Sequence, residues 1–246
     1  MKKLICIFLA ICLPISLVSC AEGESAQLRT GQRLMKGYLS DRDENAVLTE
    51  SHADVLRPAA DQLVLSDYVK GTFRDGGASY EITVNVVTGE IYTSERLPEF
   101  AESCIRLIEE RLGLNPGDCV GNCSVMELYA PAWQKENPEW PWERAYLGRV
   151  LPVGLRDMDA YAAQALSNGD VRLVMYLACR DTDIGPERWT EADIADWDNT
   201  EVTLLALTGP GAALPSSEEL TVDYRNSFAG DRLQLSDRGI AFQPGT

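Results

Sequence analysis

The chain has 246 residues, 45% of them hydrophobic, and a formal net charge of −16 at pH 7. That apolar content suits a globular fold with a sizeable core. The acidic balance repels phosphate groups, which argues against nucleic acid as a partner and against a membrane contact made by a surface patch.

The elements begin with a leader. Met1-Lys2-Lys3 sets positive charge ahead of an almost wholly apolar run from Leu4 to Val18, interrupted by Pro14. That is the order of a signal peptide, and the run is shorter than the roughly 20 residues needed to span a bilayer. It closes on Leu17-Val18-Ser19-Cys20. These residues resemble the lipobox of bacterial lipoproteins. The resemblance covers residues 1–20 only. It implies that 1–19 are a signal peptide, that cleavage falls just before Cys20, and that Cys20 carries the lipid. The protein is then expected on the extracytoplasmic face of a bacterial cell membrane, held by acyl chains; two chains anchor durably where one is marginal. The competing reading is an ordinary secreted protein with an incidental cysteine near its cleavage site. Without Lys2 and Lys3, 20 basic residues face 38 acidic ones, a net charge of −18.

Residues 20–45 are polar and poor in core formers, and are expected to be a lipid-anchored tether. An N-terminal α+β half is expected over 46–130. It opens with one or two short helices between Val47 and Leu65. Asp67 to Phe73 reads as a strand, and Arg74-Asp75-Gly76-Gly77 as its turn. Tyr80, Ile82, Val84 and Val86 alternate with polar residues, the period of a half-buried strand. Thr88-Gly89 turns the chain and Glu90 to Ser94 returns, which makes a three-stranded antiparallel meander. The stretch YEITVNVVTGEIYT, residues 80–93, is similar to the strand–TGE–strand hairpin of PepSY-type domains, small extracytoplasmic modules. In that family a helix precedes the hairpin, whereas here the clear helix follows it. The resemblance carries no function and no site residue.

That following helix has Leu97, Phe100, Ala101, Cys104, Ile105, Ile108 and Leu112 on one face, with Pro98 in the first turn and Gly113 at the end. Its apolar face is expected to lie on the meander. Residues 131–156, with Pro131, Pro138, Pro141 and Pro152, read as a junction between two halves. The C-terminal α+β half, 157–246, starts with a helix through Met158 and Leu166 that stops at Asn168-Gly169. Strands follow at Val171–Cys179, Val202–Leu207 and Leu220–Phe228, a short helix at Thr190–Trp197, and a hairpin from Arg232 to Phe242. The fold class is α+β: an antiparallel meander packed with a helix, then a second helix/strand half.

Chemistry is sparse. The single histidine, His52, has no ordered partner in the sequence, so a nucleophilic triad has nothing to route through. Cys104, Cys119, Cys123 and Cys179 are candidate disulfide partners. Four cysteines allow three pairings, among which spacing does not choose. Buried thiols and a four-sulfur zinc site are the other readings. Asp193, Asp196, Asp198 and Glu201 lack the order of a calcium loop, and fit a solvated helix end better. Trp133, Trp140, Trp142 and Tyr146 form the candidate ligand surface, against the reading that they plug the junction. No catalytic residue, metal or cofactor is expected. The expected function is a non-catalytic binding or accessory role for a surface lipoprotein. Its partners are the membrane, through the lipid anchor, and a protein or cell-envelope glycan. The alternative is a cell-envelope hydrolase using a carboxylate pair. A pocket with two convergent acids would favour the enzyme.

Overall fold

A computed structural model describes residues 24–42, 45–59, 62–115, 117–129, 146–180, 188, 199–207, 212–236 and 239–244, with backbone alone for 54–59, 62–65 and 146. Among these residues the fold is α+β, with four α-helices and eleven strands. The chain divides into two compact units, Met1–Ser94 and Glu95–Thr246.

The first unit opens with a helix, α1, over residues 24–42. Four strands follow: β1 (Val47–Ala59), β2 (Gln62–Asp75), β3 (Ala78–Asn85) and β4 (Ile91–Thr93). Each pairs antiparallel with the next. The β2–β3 loop is Gly76-Gly77, both at positive φ, as a type I′ turn requires. Met35 and Leu39 of α1 are buried with Val69, Phe73, Ile82 and Val84 of the strands. Gly31, one turn before Met35, makes the seat: a methyl group there would stand 2.5 Å from Val69 Cβ. The expected tether over 20–45 is therefore corrected from residue 24 onward. Mean polarity concealed a helical period, since Gly31, Met35 and Leu39 fall on one face while the polar residues fall on the other.

The expected helices between Val47 and Leu65 are also corrected, because β1 and β2 run through them. Pro58 lies where the register shifts, just before the Ala59–Gln62 pair that closes the hairpin. A strand tolerates proline at such a place, because no ladder hydrogen bond is lost. The meander itself stands as read, with one strand added at its start.

The second unit comprises α2 (Leu97–Arg111), β5 (Cys119–Tyr129), β6 (Tyr146–Gly148), β7 (Leu151–Pro152), α3 (Met158–Ser167), β8 (Val171–Cys179), β9 (Thr200–Ala206), a 3-10 turn (Ser217–Glu219), α4 (Val222–Ser227), β10 (Arg232–Ser236) and β11 (Gly239–Gln243). Its six-stranded sheet has the order β11-β10-β9-β8-β5-β6. β8 and β9 are parallel, and the other pairs antiparallel. Alternation splits β8 between two faces. Val171, Leu173, Met175, Leu177 and Cys179 join a core with Phe100, Cys104 and Ile108 of α2 and Met158, Ala162 and Ala165 of α3. Tyr176 and Ala178 face the other way, under Leu220 and the side chains of Leu214, Tyr224 and Phe228.

Three expectations fail here. α2 buries its stripe in this second core, while α1 covers the meander. The halves do not part at 131–156, since β5 before that stretch and β8 after it are hydrogen-bonded neighbours. Leu220–Phe228 is no strand: the Thr221 side chain accepts from the Tyr224 amide and starts α4. A threonine cap ahead of an aspartate in the first turn is a helix signal that outweighs the short apolar pattern. The 190–197 helix lies outside the described residues.

Candidate functional sites

Cys104 lies on α2, and Cys119, Cys123 and Cys179 lie on the two strands beneath it. On β5 the side chains of Cys119 and Cys123 share a face, with Gly121 between them. A methyl group at Gly121 would stand 2.7 Å from Ile105 Cγ2 of α2, so the glycine lets the helix close on the sheet. Cys119 lies directly opposite Cys179 in the β5–β8 register. The Arg180 amide donates to the Asp118 carbonyl. That makes residues 118 and 180 a hydrogen-bonded pair, so Cys119 and Cys179 occupy a non-hydrogen-bonded site, where facing side chains come closest. Their Sγ atoms are 2.8 Å apart. Cys104 reaches down from α2 to a hydrogen bond with Cys123, and that bond, with burial, pushes its thiol far up. Such a thiol stays protonated and is no nucleophile at neutral pH. Cys104, Cys119 and Cys179 are buried, and Cys123 is half-buried.

A cleft of about 350 Å³ lies between the first turns of α2 and α3, lined by Glu99, Glu102, Ser103, Arg106, Arg156, Asp157, Met158 and Asp159. Three of its acids, Glu99, Asp157 and Asp159, are engaged. Arg96 grips Glu99 with two hydrogen bonds of 2.8 and 2.6 Å and donates a third to the Leu155 carbonyl. Asp159 pairs with Arg106. Asp157 caps α3, accepting from the Ala160 amide at 2.9 Å. The Arg96 hydrogen bond holds the Glu99 carboxyl below its usual range. The Ser103 hydroxyl, and then Arg106, do the same for Asp159.

A second, polar cleft of about 240 Å³ is lined by Arg172, Leu173 and Val174 of β8, Asn199, Thr200 and Glu201 at the start of β9, and Gln234 and Ser236 of β10. Gln234 donates to Glu201 at 2.7 Å. Asn199 holds a left-handed backbone, φ 63°, and its side chain donates to the Gly169 carbonyl at 3.1 Å. Thr200 is 2% exposed, and its hydroxyl has no partner among the described residues. Sequence reasoning missed this cleft, because β8, β9 and β10 are brought together only by tertiary pairing.

The outer face of α1 is a local exception to the acidic charge. Arg29, Arg33 and Lys36 are all exposed and stand at i, i+4, i+7 spacing.

Of the residues picked out from sequence, Trp133, Trp140 and Trp142 lie outside the described residues, and Tyr146 opens β6 with its backbone alone described. His52 is exposed on β1, opposite Lys70. Asp193, Asp196 and Asp198 lie outside the described residues. Among the described residues, no three His, Cys, Asp or Glu side chains converge to hold a metal ion. No protein-family model matches the chain, and no curated protein or solved structure is significantly similar to it.

Proposed function

We propose that this protein is a lipoprotein anchored through Cys20 on the extracytoplasmic face of a bacterial membrane, with a non-catalytic binding or accessory role. The observation that carries the proposal is how near ordered structure comes to the lipobox cysteine. The chain is already helical in α1 at residue 24, four residues after Cys20. Four residues reach at most about 14 Å, so the anchor would hold α1 beside the headgroups. The exposed Arg29, Arg33 and Lys36 suit that place, since each basic side chain near an anionic leaflet contributes about 1 kcal/mol. Ligand binding would fall to the polar cleft between β8, β9 and β10, lined by Arg172, Glu201 and Gln234.

The acidic cleft between α2 and α3 favours a second reading, a hydrolase using paired carboxylates. That chemistry needs one carboxyl kept protonated by a raised pKa. Glu99 and Asp159 are shifted the opposite way. Their cations hold both as ion pairs, Arg96–Glu99 at the start of α2 and Arg106–Asp159 between the two helices, which supports the non-catalytic role.

Replacing Cys20 by Ala tests the anchor. The variant should leave the membrane fraction or accumulate as an uncleaved precursor. A mature-sized, lipid-labelled variant still in the membrane would sink the proposal.

A further inference from the structure

We infer that the four cysteines that follow Cys20 form two disulfides, Cys119–Cys179 within the second sheet and Cys104–Cys123 from α2 to β5, and that exchange begins at the second. Strand register alone selects this pairing from the three that four cysteines allow. Cys119 and Cys123 are four residues apart on one strand, which at about 3.4 Å per residue separates them by roughly 13 Å. Cys123 faces Met175, and Cys179 lies four residues further along β8, so that pair is about as distant. A disulfide needs Cα atoms within about 7 Å. Every alternative pairing contains one of these two bridges. The remaining one joins Cys119 to the residue directly opposite, where Cα atoms of a non-hydrogen-bonded pair stand about 4.5 Å apart. It also joins Cys104 to Cys123, which packs against the same core beneath α2.

In each bond two thiols lose two protons and two electrons. A disulfide-bearing oxidant, such as an oxidised dithiol protein or glutathione disulfide, takes them up and leaves as two thiols. Cys119 and Cys179 are both buried, whereas Cys123 is half-exposed, so an attacking thiolate reaches the Cys104–Cys123 bridge first. The bridges would close in the cell only under the extracytoplasmic reading above. The pairing itself rests on register.

The test uses the lipidated mature protein in detergent, equilibrated with glutathione and its disulfide, then alkylated in denaturant. No cysteine should alkylate before reduction and all four after it. C104A/C123A and C119A/C179A should each keep one bridge, while the crossed C104A/C119A should leave two free thiols. The wild-type peptide map gives the same answer should a variant fail to fold. Fragmentation between Val120 and Asn122 separates a bridge on Cys119 from one on Cys123. Limiting dithiothreitol without denaturant should free Cys104 and Cys123 before the other two. Four alkylated cysteines after oxidation, or a bridge at full yield in the crossed variant, would overturn the pairing. Release of Cys119 and Cys179 first would overturn the order. A protein that forms both bridges in this buffer yet is never processed at Cys20 would keep the pairing and remove the membrane reading.

Discussion

Glu109 is a carboxylate on the buried side of α2, 6% exposed. Burial pushes its carboxyl up, because the low-dielectric surroundings disfavour the charged form. A group raised in the folded state contributes stability that is fully present below its unfolded value, near 4.3, and lost as pH rises through the folded one. Glu109→Gln should therefore melt higher than wild type at pH 7, with the gap closing toward pH 4. Thermal melts of the two proteins across that range measure it, and equal melting points at every pH would refute it. Glu99 and Asp159 act in the opposite sense. Their lowered carboxyls contribute stability above the ordinary carboxylate range that is lost as pH falls through the folded values. Both are solvent-exposed, so salt should blunt that loss.

At the scale of elements, each unit seats a helix on its sheet by removing a side chain at the contact. In the first unit the gap is on the helix, Gly31 against Val69, and in the second it is on the strand, Gly121 against Ile105 and Leu177. Gly121→Ala should cost about 1–3 kcal/mol, the usual range for overpacking a core. A denaturant midpoint equal to wild type would mean that α2 shifts freely. Met35, on the inner face of α1, is fully buried. Met35→Ala should cost about 2–5 kcal/mol, as large-to-small core changes do. An unaltered melt would mean that residues 24–42 do not dock on the meander and that the tether reading was right. Much of this was legible beforehand. Period-two alternation marked Tyr80 to Val86, and period-3.6 spacing marked both α2 and α3. The Asn168-Gly169 stop of α3 lies where it was read.

For the whole molecule, a net charge of −16 accompanies a fold whose first helix carries exposed cations on its outer face. Net repulsion of this size opposes compactness. Raising sodium chloride from about 0.01 to 0.5 M shortens the screening length severalfold, and the melting temperature should rise with it. A fall would mean that ion pairs such as Arg96–Glu99 and Arg106–Asp159 outweigh the repulsion.

Local chemistry by itself determined the meander, the two amphipathic helices and the last hairpin, because each rests on residues a few positions apart. It also supplied the four cysteines, without their partners. Only the tertiary structure decided that α1 covers the meander, that α2 packs with α3 over β5 and β8, and that Cys119 stands opposite Cys179. An apolar stripe states that a face will be buried, but not against what. That choice depends on strand register between residues up to 60 positions apart, and on glycines such as Gly31 and Gly121 whose missing side chains leave no periodic mark.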